Sequence, residues 1–271
     1  MASRPEHASG YAYRHGALAA SRGASMIVAV HQPHYLPWLG YLDRMLGADV
    51  FIVFDHVQFE RRNYQNRTQV RLDDQPHWLT VPVVQRSQQE RIIDKMIDNP
   101  DGDGARWWGP NHFSTLRHAY RRARFFDMYG PDLREILERR WTRLVDLNQA
   151  LLDWLRDALD IRTPLVRSSE LNVSGQKSQL LIDLCRAVGG DTYLAGMGGS
   201  RRYLDLAAFE KAGVEVRWQA FDHPRYPQLG EAPFIPGLSA VDLLFNCGPH
   251  SRAIVRGQPL PSQQEEVAAF S

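Results

Sequence analysis

Ile27-Val28-Ala29-Val30 is a run of apolar residues with no polar alternation, the pattern of a strand covered on both faces. Pro33 and Pro37 forbid a helix directly behind it, so this strand must end in a loop near His31. Trp38 to Leu46 then places Leu39, Leu42 and Leu46 on one side of a short helix, with Gly47 as its stop. Val50 to Phe54 is a second buried strand ending at Asp55, and Thr68-Gln69-Val70 and Trp78 to Val83 read as further strands, with Pro82 favouring an edge or a strand end. A helix with an aromatic face is expected over Trp107 to Ala123. One long amphipathic helix is expected over Leu137 to Leu159, where apolar residues recur at three and four. Thr163 to Arg167 can be a short strand, and Leu180, Leu181, Leu184 and Val188 mark a helix closed by Gly189-Gly190. Thr192 to Ala195 reads as a strand running into glycines, and Val214, Val216 and Trp218 alternate with Glu215 and Arg217 as in a half-buried strand.

Strands separated by helical segments give an α/β class: a mixed, mostly parallel sheet flanked by helices, with a partly antiparallel strand region around residues 67–97. The expected organisation is one domain over 26–257, a disordered N-terminal extension at 1–25 and a C-terminal tail at 258–271. A hydrophobic content of 44% suits a chain that buries a core. The 32 Lys and Arg against 31 Asp and Glu leave a formal charge of +1, no global field that implies DNA or a membrane surface as partner. Two cysteines without CxxC spacing fit a reducing, cytoplasmic setting, and no apolar run approaches the roughly 20 residues of a membrane helix.

The ends of adjacent strands are where ligands collect in such sheets, and they carry His31 and Asp55. If Asp55 accepts from one imidazole nitrogen of His31, the other nitrogen is left to take a proton from an amine or hydroxyl. Written as a metal cluster, His31, His34, Asp55 and His56 fail: Pro33 forbids a helical His-x-x-His face, and neighbours such as Asp55 and His56 rarely point at one ion. Gln58, Asn66 and Arg67 supply amide and guanidinium donors for a polar substrate, together with His34 and Tyr35 from the first loop. Gly196, Gly198 and Gly199, followed by Arg201, let backbone N–H groups approach an anion, although Arg201 stands where a dinucleotide fingerprint needs its third glycine. Cys247 lies beside Gly248 and Pro249 and is a candidate thiol nucleophile with His31 or His250 as base, whereas Cys185 reads as structural.

Taken together, His31-Gln32-Pro33-His34-Tyr35-Leu36-Pro37-Trp38-Leu39-Gly40-Tyr41, Asp55-His56-Val57-Gln58-Phe59, Asn66-Arg67 and Trp78 to Val83 resemble the WbqC-like family. Tyr193-Leu194-Ala195-Gly196, Tyr226-Pro227-Gln228 and Leu238 to Pro249 resemble its later blocks, so the resemblance runs from about Met26 to Arg256. The resemblance implies a place in polysaccharide or natural-product gene clusters and, from a role proposed for one member, glycine transfer. It brings no established catalytic residues.

The expected function is an aminoacyl- or acyltransferase moving glycine or a similar small acyl group to an amine such as an amino sugar or small metabolite. His31 would be the base and Asp55 its orienting partner. Without an adenylate-forming signature the donor should arrive activated, on a carrier protein as a phosphopantetheine thioester or as aminoacyl-tRNA, and no separate cofactor is expected. The alternatives are a non-catalytic sugar or nucleotide-sugar binding component of polysaccharide assembly and a thioester hydrolase using Cys247.

Overall fold

The computed structural model describes residues 25–99, 107–196, 198 and 203–258. Of the expected extension at 1–25 and tail at 258–271, residues 1–24 and 259–271 lie outside them, as do Gly199 and Arg201. In chain order the elements are β1 (Ile27–His31), α1 (Leu39–Leu46), β2 (Val50–Val53), β3 (Arg67–Leu72), β4 (Gln75–Thr80), α2 (Trp108–Tyr120), α3 (Phe126–Glu138), α4 (Leu144–Ala158) and β5 (Leu165–Arg167). α5 (Lys177–Ala187), β6 (Thr192–Ala195), α6 (Leu206–Ala212), β7 (Glu215–Trp218), α7 (Ala240–Cys247) and α8 (Ser251–Val255) complete them.

Five strands form one sheet in the order β5-β2-β1-β6-β7, and every pairing in it is parallel. Both faces are covered, which is why β1 and β2 are apolar at every interior position. Val28, Val30, Val50 and Ile52 enter one core with α5 and α6, while Ala29, Phe51 and Val53 enter the larger core with α1, α4 and α7. Full burial of each of these Val, Ile and Phe side chains contributes roughly 1.5–3 kcal/mol. From β1 the chain builds outward through β2 to β5, then returns past β1 to add β6 and β7. The direction of winding therefore reverses between β1 and β6, which is where open α/β sheets form a ligand crevice beyond the strands' carboxyl ends.

Antiparallel pairing is confined to the hairpin β3–β4 and isolated bridges such as Gln58 with Arg91 and Val83 with Ile97. The hairpin turns on Asp73 and Asp74, both at positive φ (48° and 61°), as a two-residue turn matching strand twist requires. The single long helix expected over Leu137 to Leu159 is instead two. α3 stops at Glu138, and the segment before α4 runs extended so that Thr142 accepts from the Ile97 N–H and Arg143 bridges Met96. The helical spacing of Leu137, Trp141 and Leu144 continues across the break because each side chain faces the same core, not because the backbone stays helical.

Candidate functional site at the carboxyl edge of the sheet

The loop leaving β1 is fixed by backbone bonds from four directions. Phe54 N–H donates to the His31 carbonyl at 2.8 Å, Tyr35 N–H to Tyr64 at 2.9 Å, Ala240 N–H to Pro37 at 2.8 Å, and the Thr68 hydroxyl to Leu36 at 2.9 Å. Gln65 adds an amide bond to the Gln32 side chain at 2.8 Å. Leu36 is held at φ 45°, a left-handed conformation that costs an L-residue roughly 1–2 kcal/mol, so the surrounding bonds over-determine the loop.

His31 Nδ1 lies 3.0 Å from the Gln32 carbonyl. A carbonyl only accepts, so this bond assigns the proton to Nδ1 and leaves the lone pair on Nε2. Burial first, then the neighbouring His34 and Arg44, hold the His31 imidazole well below the usual histidine range, so it is neutral at pH 7. His34, only 6% exposed, is pulled to about 3 by burial and by Arg44. The rings of His31, His34 and Tyr41 form a triangle with centroid separations of 4.7, 4.7 and 5.1 Å. His34 Nδ1 and the Tyr41 hydroxyl are buried without a hydrogen-bond partner among the described residues. Tyr64 stacks on His34 at 5.5 Å and touches Trp78 at 5.6 Å, and the Arg67 guanidinium lies 4.1 Å over the Trp78 ring.

Arg44, in the last turn of α1, reaches this cluster from the side. Its Nε donates to Gln219 Oε1 at 2.9 Å, at the exit of β7. The Gln219 amide is itself fixed, because Nε2 donates both to the Gly40 carbonyl at 2.9 Å and to Asp43 Oδ2 at 2.5 Å. At the exit of β6, Gly196 accommodates the guanidinium: a Cβ there would come within 1.9 Å of Arg44 Nη2.

Asp55 does not orient His31. Its carboxylate accepts from Arg167 Nε at 2.8 Å, the Ser168 hydroxyl at 3.0 Å, the Ser169 N–H at 2.9 Å and the Ser169 hydroxyl at 2.8 Å, which ties β2 to β5 and uses up its oxygens. The orienting acceptor for His31 is a backbone carbonyl instead. Of the expected substrate-binding groups, His34 packs against His31 and Gly196 lies beside Arg44, whereas others are engaged elsewhere. Gln58 is exposed and donates to the Gln88 carbonyl, Asn66 is buried and donates to the Val81 carbonyl, and the Tyr35 hydroxyl is in the core 2.8 Å from His112 Nδ1. Arg67 reaches the cluster only through Trp78 and donates to the Arg62 carbonyl. Cys247 is 5% exposed in the large core, and burial pushes its thiol up to about 12, so at neutral pH it is not a thiolate nucleophile. Cys185 is equally protected, as expected of a structural thiol. Gly196 and Gly198 follow the end of β6, and Gly199 and Arg201 of the expected glycine turn lie outside the described residues.

Arg44, Tyr41 and Gln219 were not legible as site residues. The i, i+3 spacing of Tyr41 and Arg44 on one amphipathic helix was the available signal, because it sets a cation beside a ring that faces the loop. Among the described residues no group of three or more His, Cys, Asp or Glu is placed to hold a metal ion. No described helix is long and apolar enough to cross a membrane.

A family model described as "WbqC-like protein family" matches residues 32–254, from the first turn of the His31 loop to the end of α8. The chain belongs to the WbqC-like family. It is also similar to a protein of Mycobacterium tuberculosis called "Uncharacterized protein Rv1507c", at 33% identity over 224 residues, covering 82% of this chain and 94% of that one. No solved structure matches. The matched span begins at Gln32 and includes Tyr41, Arg44, Gly196 and Gln219, so the crevice between β1 and β6 falls almost wholly within the family segment.

Proposed function

We propose that this WbqC-like protein is an acyl- or aminoacyltransferase whose general base is His31. The observation that carries the reading is the Nδ1 bond to the Gln32 carbonyl, which leaves an Nε2 lone pair on a neutral imidazole at the point where the sheet reverses its winding. An acceptor amine attacks the carbonyl carbon of a thioester or aminoacyl ester, and the new N–C bond forms as the amine proton passes to Nε2. The C–S or C–O bond then breaks, and the imidazolium returns that proton to the leaving thiolate or ribose oxygen. The Gly198 backbone N–H is the oxyanion donor this reading calls on. Glycine on a carrier protein or on tRNA is the donor this reading favours, with an amino sugar or small amine as acceptor, in the cytoplasm.

The partly exposed Trp78 ring beside Tyr64 favours a sugar as the acceptor, and it also supports the second reading, a sugar-binding component without catalysis. Incubation with glycyl-loaded carrier protein and a panel of amino sugars separates the two. A gain of one glycyl unit on an acceptor, read by mass spectrometry, is the expected result. Saturable sugar binding with no mass gain from either a carrier or a tRNA donor would replace transfer by binding.

A further inference from the structure

Arg44 is a largely buried cation whose hydrogen-bond partner among the described residues is the neutral amide of Gln219. The nearest acid in sequence, Asp43, is turned to Gln219 Nε2 and forms no ion pair with it. Burial outweighs the support that Tyr193, Tyr41 and Asp43 give this guanidinium, yet three elements cooperate to hold it in place. Gln219 fixes Nε, α1 fixes Gln219 through Gly40 and Asp43, and Gly196 clears the space for Nη2. The charge of Arg44 acts on His31, His34 and Tyr41, and there the Tyr41 hydroxyl and His34 Nδ1 are buried without a hydrogen-bond partner among the described residues.

We propose that this crevice is a phosphate-binding site anchored by Arg44 and positioned by Gln219 and Gly196. A planar guanidinium presents two N–H groups to a phosphate in parallel, and the unpartnered Tyr41 hydroxyl and His34 Nδ1 offer further donors beside it. A tetrahedral phosphate also turns acceptor oxygens out of the guanidinium plane towards those groups, which a planar carboxylate does not. A phosphate there adds to the negative charge that Asp43 supplies across the Gln219 amide, and it marks the substrate or donor as a phosphate-bearing molecule. The inference shares the crevice with the transfer reading but is read at equilibrium without turnover, so either can fail alone.

The test is thermal unfolding and calorimetric titration of the full chain with inorganic phosphate, acetate and chloride at matched ionic strength. Phosphate should raise the midpoint in a saturable way, and acetate and chloride should not. Arg44→Met should abolish that shift while its midpoint in phosphate-free buffer stays close to the parent value, because an apolar chain of similar length replaces a buried cation. Gly196→Ala, which pushes the guanidinium aside, should weaken phosphate binding roughly tenfold or more while the far-ultraviolet spectrum is unchanged. Diethyl phosphate as a further probe identifies the source: binding of both probes indicates a diester, and of inorganic phosphate alone a monoester. A parent protein unmoved by phosphate, an acetate response equal to it, or an Arg44→Met variant that keeps the shift would each overturn the proposal. An Arg44→Met variant of lowered midpoint, in which Gly196→Ala binds phosphate like the parent, would make Arg44 a structural residue and overturn it as well.

Discussion

Lowering the pH from 7 to 5 should cost this protein a large part of its stability through its buried histidines. His34 is held to about 3 and His112 to about 4, each chiefly by burial, against 6.5 for an exposed histidine. His31 is lowered for the same first reason. The folded protein keeps these rings neutral while the unfolded chain protonates them near 6.5, so between those values the unfolded state binds more protons. Stability therefore rises with pH across that window and is lost as pH falls below 6.5. Each bound proton is worth ~1.4 kcal/mol per pH unit, so descending from 6.5 to 5 costs about 2 kcal/mol per histidine, or about 4 kcal/mol for His34 and His112 together. That compares with a total of roughly 5–15 kcal/mol for a typical domain. Urea unfolding at pH 7, 6 and 5 measures it directly. His34→Gln, which removes one titrating ring, should flatten the slope by about one proton. A free energy of unfolding constant from pH 7 to 5, or a His34→Gln slope equal to the parent's, would refute the reasoning.

Two further outcomes test the roles reassigned above. Asp55→Ala removes a fully buried carboxylate bonded to Arg167, Ser168 and Ser169, and should destabilise by about 3–5 kcal/mol in urea titrations, with Asp55→Asn milder because it keeps part of the bonding. Neither Cys185 nor Cys247 should react with a thiol reagent at pH 8 in the native protein, since both are buried and pushed to about 12, and both should react once the protein is unfolded.

Much of the fold was legible because its signals are local. β1 and β2 announce themselves as unbroken apolar runs only because helices cover both faces, and β7 alternates because it lies at the edge. The break between α3 and α4 was not legible, since it depends on Ile97 and Met96 arriving from a distant loop to claim the bonds of Thr142 and Arg143. The site divides in the same way. The His31 loop and the glycines after β6 could be placed at strand ends from sequence, and the strand order brings both to one crevice. Pairing Asp55 with His31 failed because strand adjacency fixes where side chains start, not where they point, and β5 supplied Asp55 with better partners. Arg44 stayed hidden because its meaning comes from Gln219 and Gly196, more than a hundred residues away in sequence.

The central claim is that chemistry at the crevice between β1 and β6 runs through the His31 imidazole. Its most direct test is the rate of glycyl transfer, by mass spectrometry, for His31→Gln set against Cys247→Ala. The account predicts a loss of about 10²–10⁴ for His31→Gln and a rate within a few-fold of the parent for Cys247→Ala. Full activity in His31→Gln with none in Cys247→Ala would contradict it.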